Sequence, residues 1–164
     1  MHTLISISKS EHRENMEKIV VDAADKYNKA CYISFNDPYS IVVQMLDNMN
    51  VGQDKFIIID VSGDVKEYRA VNKTTHIVPI KSLFNVYLFM RDLIKDEGID
   101  LLLIDSLSVL IYRYNDLPLK QMLTDLLLEV GAFRCDSSIV VFNEHLNHEV
   151  IEHLDPLIGK RLIL

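Results

Sequence analysis

Short apolar runs alternate with longer amphipathic segments along the whole chain. The runs have the length and β-branched content of strands, and they cover residues 3–8, 30–35, 55–60, 76–80, 100–105, 137–145 and 160–164. The run at 100–105 has almost no alternation of apolar and polar residues, which is typical of a central strand covered on both faces. Pro79 places its run at the edge or the end of a sheet, because proline cannot donate to a strand ladder.

The segments between the runs have apolar residues at the spacing of helices that bury one face. The predicted helices lie within residues 8–29, 36–52, 82–98, 115–133 and 149–154, and the polar segment 61–75 predicts a loop. The predicted N-caps are Ser8 in a capping box with Glu11, or Ser10 in its place, Asp37 before Pro38, and Ser82, and the predicted helix stops are Gly52 and Gly98.

This order of strands and helices predicts parallel βαβ units with right-handed crossovers. We therefore expect an α/β fold, a three-layer α/β/α sandwich with a mostly parallel sheet, in a single domain over residues 1–164. Ligands in such folds bind at the carboxyl ends of the strands. The residues predicted to lie at that edge are Ser8, Asn36, Asp37, Asp60, Asp105, Ser106, Asn143 and Glu144.

Composition and charge narrow the class of protein. The 164 residues are 49% hydrophobic and 25% charged, a globular profile. A net charge of −7 without a Lys/Arg run argues against nucleic acid as the main partner. No apolar stretch approaches the roughly 18 residues of a membrane span, and no export signal is evident, so we expect a cytoplasmic protein without membrane contact. Cys31 and Cys135 lack CxxC spacing and predict buried free thiols.

Three stretches carry a resemblance to a known family: "CYISFNDPYSIVVQML", "KFIIID" and "SLFNVYLFMRDLIKDEGIDLLLIDSLSVL". In order and spacing they resemble the RecA superfamily of ATPase domains, most closely its KaiC-like branch. The resemblance covers nearly the whole chain and implies a RecA-like fold. It also implies that Asp105 stands where the family holds a magnesium ion.

The phosphate loop of that family has the form GxxxxGK[ST], in which backbone N–H groups and a lysine bind the phosphates. The segment at its position is "SKSEHREN", residues 8–15, so that Ser8 and Arg13 replace the glycines, Glu14 replaces the lysine and Asn15 replaces the hydroxyl residue. Glu14 would place a negative charge beside a triphosphate. Lys9 and Arg13 are the cations left to bind an anion at this helix start.

The family's catalytic glutamate pair follows the "CYISF" strand, and here Asn36-Asp37 stand in its place. Asparagine cannot act as a base. Asp105 and Ser106 are retained. We therefore expect no catalytic residue, no metal ligand and no required cofactor, and we assign a residual cleft to Asp105, Ser106, Lys9, Arg13 and Asn143.

Two interpretations of Asp105 compete. We expect it to stabilise the fold by accepting hydrogen bonds from nearby backbone N–H groups or hydroxyls, such as those of the loop after residues 3–8 or of Ser106. The alternative is a magnesium ligand. Asp60 is predicted to be a strand-end turn residue, with an acidic cleft beside Asp105 as the alternative. In "NEHLNHE", His145 and His148 have metal-pair spacing, but a solvated loop is favoured.

Other polar and aromatic side chains have simpler structural interpretations. His12 and His153 are isolated and predicted to be exposed. Residues 111–115, "IYRYN", predict either an interface or a semi-exposed loop, since aromatic and arginine side chains are enriched at interfaces.

The sequence favours a non-enzymatic function, an interaction or regulatory module built on a degenerate ATPase domain. Its expected partner is another protein or a second copy of the chain, as a dimer or higher oligomer. One alternative is an ATPase with an atypical phosphate loop, for which ATP and magnesium would be cofactors. Another is a subunit that completes a composite site on an active relative.

Overall fold

The structure is a computed structural model that describes residues 1–63, 65–80, 82–114 and 116–164. Its strands are β1 (His2–Ile7), β2 (Ala30–Ser34), β3 (Phe56–Asp60), β4 (Arg69–Ala70), β5 (Thr75–Ile77), β6 (Leu101–Asp105), β7 (Asp136–Phe142) and β8 (Lys160–Ile163). Its α-helices are α1 (His12–Lys26), α2 (Tyr39–Asn48), α3 (Leu83–Glu97), α4 (Leu107–Arg113), α5 (Asp116–Ala132) and α6 (Glu149–Leu154).

The strands form one eight-stranded sheet in the order β4-β5-β3-β2-β6-β7-β1-β8. Every described pairing is parallel except that of β4 with β5. Strand β6, the predicted central strand, lies between β2 and β7. Strand β8 is an edge strand, as predicted for the run at 160–164.

Buried apolar side chains form two clusters, one on each face of the sheet. In β6, Leu102 and Ile104 join the cluster of α3 to α6, whereas Leu101 and Leu103 join the cluster of α1 and α2. Burial on both faces explains why this strand has no polar alternation. The predicted three-layer α/β/α sandwich is confirmed, and Cys31 and Cys135 are buried free thiols.

The helix ends agree with the predicted caps and stops for one helix and differ from them for others. The Ser82 hydroxyl caps α3 by accepting from the Asn85 N–H at 3.2 Å, and Gly98 ends α3 at φ 62°. The predicted capping box at Ser8 is wrong, because the Ser8 hydroxyl pairs with that of Ser10 at 2.8 Å. Helix α2 ends at Asn48, ahead of the predicted stop at Gly52.

Three predicted segments were wrong in detail. Most of 111–115 belongs to α4, a short helix that follows β6 directly. The predicted loop at 61–75 contains β4, and Asn143–His145 is a 3-10 turn rather than the end of β7. Asp64, in the predicted loop, and Asn115, at the start of the predicted helix 115–133 and the end of the segment 111–115, lie outside the described residues.

No helix in the described part of the chain has the length and apolar character needed to cross a bilayer.

Candidate functional site

The carboxyl ends of β1, β2, β6 and β7 meet at one edge of the sheet. In register, Ser34 pairs with Asp105 and Ile7 pairs with Phe142. The chain that leaves β1 therefore starts α1 beside the end of β6. This placement brings His12 to Asp105, although 93 positions separate them in sequence.

The Asp105 carboxylate is fully buried, at 0% exposure, and both of its oxygens are hydrogen-bonded. One oxygen lies 2.7 Å from His12 Nε2, and the other accepts from the Tyr32 hydroxyl at 2.5 Å. A buried carboxylate without partners would be strongly destabilising, so these two donors account for its presence in the core. One donor is a hydroxyl, as predicted, and the other is an imidazole. Within the described ranges the carboxylate has no bond to a backbone N–H or to Ser106, which were also predicted.

His12 lies between two carboxylates. Its Nε2 faces Asp105, and its Nδ1 lies 3.9 Å from Asp37 Oδ2. Burial opposes protonation, but the hydrogen bond to Asp105 and the charges of Asp105 and Asp37 raise the pKa of His12 above its ordinary value. The His12 side chain is only 12% exposed, so the prediction that this histidine is exposed was wrong.

Tyr32 supplies the second donor from within β2. Burial and the neighbouring Asp105 carboxylate raise the pKa of Tyr32 well above its ordinary value, so the phenol keeps its proton and donates it. Its ring lies in the α1–α2 cluster, while its hydroxyl reaches the sheet edge. Tyr32 therefore ties β2 to β6 through a side chain as well as through the backbone ladder.

The segment in the phosphate-loop position is wound into helix. Only Ser8 separates the end of β1 from the 3-10 turn Lys9–Glu11, which runs directly into α1. Glu14 is exposed and pairs with Lys18 at 2.7 Å, one turn along α1. Asn15 is buried at 4% exposure. The backbone here does not form an extended loop around a ligand.

The structure places the predicted cleft residues in different surroundings. Lys9 Nζ lies 5.9 Å from the centroid of the Phe142 ring, and Arg13 is near Glu17, with Nε 3.5 Å from Oε1. Ser106 is fully buried, and its hydroxyl has no hydrogen-bond partner among the described residues.

Asn143 accepts a hydrogen bond from the Ser6 hydroxyl, which joins the ends of β1 and β7. Of the predicted set, Lys9 and Arg13 line one cavity with His12, while Asp105 lies behind His12 in the core. Ser106 and Asn143 do not line that cavity.

The cavity beside His12 has a volume of about 320 Å³. Its polar wall consists of Lys9, Ser10, His12, Arg13, Tyr32 and Asp37, and its apolar wall comes from α1 and α2. It opens at the carboxyl edge of the sheet, where ligands bind in folds of this class.

Asp60 has a structural role at the end of β3. Its carboxylate accepts from the Tyr39 N–H at 2.8 Å, from the Ser62 N–H at 2.9 Å and from the Ser62 hydroxyl at 2.7 Å. It therefore stabilises both its own turn and the first residue of α2. Asp37 is not the N-cap of α2, because Pro38 holds that position.

The aromatic and histidine residues near α4 form a separate cluster. Tyr112 is 80% exposed, and its ring packs edge-on against His145 at 5.7 Å. The His145 and His148 rings are 6.3 Å apart. Within the described ranges, only His12, Asp37 and Asp105 form a group of three side chains spaced to hold a metal ion.

Sequence reasoning missed His12 and Tyr32 as partners of Asp105. A signal existed for Tyr32, since a tyrosine in an otherwise apolar buried strand needs a partner for its hydroxyl. For His12 the signal was its position just after β1, at the edge where Asp105 ends β6.

No protein-family profile and no curated protein sequence matches this chain. Its fold is similar to that of solved structures, among them the crystal structure of the KaiC-like protein PH0186 from the hyperthermophilic archaeon Pyrococcus horikoshii OT3. That alignment has a TM-score of 0.71 and 11% identity, and it covers 99% of this chain and 70% of the other. At this identity the similarity establishes the architecture alone: the chain has the α/β/α fold seen in that KaiC-like protein.

Proposed function

We propose that this chain is a non-catalytic RecA/KaiC-like domain that serves as an interaction or regulatory module. The observation that carries the proposal is the bonding of Asp105. Both carboxylate oxygens are bonded within the protein, to His12 Nε2 and to the Tyr32 hydroxyl. The carboxylate on which a magnesium site would depend is thus committed to the fold.

Magnesium binding at Asp105 would require this arrangement to open. Mg²⁺ prefers a near-octahedral set of oxygen ligands and keeps several waters. Asp105 is fully buried behind His12, so the ion and its waters would have to displace the imidazole. That exchange would leave a buried hydroxyl or imidazole without its partner.

The segment 8–15 supports the same proposal independently. A phosphate loop binds through successive backbone N–H groups that converge on the anion. Here the Glu11 N–H already bonds to the Ser8 carbonyl at 3.1 Å within the 3-10 turn. Glu14, which occupies the lysine position, adds negative charge to the same helix.

The surface at the junction of α4 and α5 supports an interaction role. Tyr112 is 80% exposed and Leu117 is 77% exposed, and the exposed Arg113 lies between them in sequence. Tyrosine and arginine are enriched at protein interfaces. We place the expected contact with a partner protein, or with a second copy of the chain, at this junction.

Turnover measurements test the proposal. We expect no ATP hydrolysis by the purified chain above that of the Asp105→Asn variant, with Asp54→Asn as a matched control at an exposed position. Turnover that is present in the wild type and in Asp54→Asn, and absent in Asp105→Asn, would support an ATPase with an atypical phosphate loop. Turnover only after mixing with an active relative would support the composite site.

A further inference from the structure

His12 and Asp37 face each other across the wall of the cavity without a direct hydrogen bond. His12 Nδ1 lies 3.9 Å from Asp37 Oδ2, which is beyond hydrogen-bond distance. The Asp37 side chain is 35% exposed, so it can rotate toward the ring. Its backbone is fixed, because the Asp37 N–H donates to the Ser34 hydroxyl at 3.1 Å.

Asp105 fixes the tautomer of this histidine. A carboxylate accepts but does not donate, so the 2.7 Å contact makes Nε2 the donor. In the neutral ring the lone pair is then on Nδ1, which faces Asp37. A histidine held by a carboxylate on one nitrogen and free on the other has the arrangement common to metal-binding histidines.

We propose that His12 Nδ1 and the Asp37 carboxylate bind a divalent d-block cation of the Zn²⁺ or Co²⁺ type. At metal–ligand distances of about 2.0–2.2 Å, two ligands of a tetrahedral ion lie about 3.4 Å apart. A small rotation of the Asp37 side chain would therefore shorten the observed distance of 3.9 Å between His12 Nδ1 and Asp37 Oδ2 to this value.

Asp105 belongs to the outer sphere of this site. It is close enough to count as a third ligand by distance, since one ligand atom from each of the three residues lies within 4.8 Å of the others. However, its oxygens are already bonded to His12 and Tyr32, and its place behind the ring lets it orient His12 instead. Such outer-sphere carboxylates raise the basicity of the histidine ligand.

The charge and space around the site suit a dication. Two carboxylates and a neutral imidazole give a local charge that a divalent ion offsets. The cavity of about 320 Å³ leaves room for waters in the remaining positions. Lys9 and Arg13 on the same wall weaken the attraction for a bare cation and favour an anion among the remaining ligands.

The imidazole nitrogen sets the selectivity. Nitrogen ligands favour Zn²⁺, Co²⁺ and Ni²⁺, whereas Mg²⁺ prefers oxygen. The inference is independent of the proposed function, since it needs neither nucleotide nor partner. A negative result for the metal site would therefore not count against the proposed function, and the reverse is also true.

Titration of the metal-free chain with Co²⁺, followed by its visible absorption, tests the inference. We expect one equivalent of Co²⁺ to bind, Zn²⁺ to displace it, and Mg²⁺ in large excess to leave the spectrum unchanged. His12→Gln and Asp37→Asn should each weaken Co²⁺ binding by about tenfold or more. The exposed His153 provides the control, and His153→Ala should bind as the wild type does.

The His12→Gln variant keeps the test decisive, because the glutamine amide can still donate to Asp105 and so preserve the fold. Circular dichroism checks that it does. Absence of Co²⁺ binding to the wild type would overturn the inference. Equal binding by folded His12→Gln, or displacement of Co²⁺ by Mg²⁺, would overturn it as well.

Discussion

Asp60 and Asp105 end the two strands that flank β2, and both pair in register with Ser34. Both are buried, at 4% and 0% exposure. Asp60 takes two hydrogen bonds from Ser62, two positions along the chain, and one from the Tyr39 N–H, 21 positions before it. Asp105 takes its bonds from side chains 93 and 73 positions away.

Equivalent positions in a sheet can therefore stabilise different levels of structure. Asp60 closes a turn and starts a helix, so its effect should be local. Asp105 joins α1, β2 and β6, so its effect should reach the whole fold.

Asp105→Ala should have the largest effect. It leaves the Tyr32 hydroxyl and the His12 ring without their shared acceptor, so we expect a loss of about 2–4 kcal/mol in the free energy of unfolding. Urea denaturation should show a lower midpoint with an unchanged slope. A loss within experimental error would show that Asp105 does not hold the fold.

Asp60→Ala should have a smaller and more local effect. It removes the acceptor for the Tyr39 N–H and for Ser62, so we expect a loss of about 1–2 kcal/mol, as for a helix cap. Hydrogen exchange should speed up most in the first turn of α2. Equal acceleration across β6 and α1 would contradict a local role.

Tyr32→Phe isolates one of the two bonds to Asp105. The ring and its packing remain while the donor is lost, so we expect a loss of about 1 kcal/mol. A double-mutant cycle with Asp105→Ala measures the coupling. Additive effects would show that the Tyr32–Asp105 bond contributes nothing to stability.

Asp136, which begins β7 at the opposite edge, should give the smallest effect, and only in acid. Burial raises the pKa of Asp136, but the N-terminal ammonium and the Tyr27 hydroxyl outweigh it and hold that pKa below its ordinary value. A depressed pKa contributes stability above the unfolded-state pKa, and this stability is lost as the pH falls through the folded-state pKa. Asp136→Asn should therefore unfold with a shallower dependence on acid. An unchanged dependence would contradict this assignment.

Much of the fold follows from local sequence. The apolar runs locate the main strands, and Ser82 and Gly98 mark the ends of α3 because capping uses neighbouring residues. Helix α4 was missed because a short apolar segment directly after a buried strand does not reveal its period.

The site was harder to predict because its contacts are between residues distant in sequence. Asp105 was expected to stabilise the fold, but its partners depend on how β1, β2 and β6 are ordered in the sheet. His12 gains its role only when α1 starts beside β6. The local sequence pattern does not show that α1 and β6 are close, whereas the order of the strands in the sheet does.

In the proposed function, Asp105 is bonded to His12 and Tyr32 and does not hold a nucleotide-bound magnesium ion. Thermal melts of the wild type and of Asp105→Ala, each with and without Mg-ATP, test this. We expect Mg-ATP to leave both melting temperatures unchanged, since only a ligand that binds the native state raises that temperature. A rise of several degrees in the wild type that vanishes in Asp105→Ala would contradict the claim.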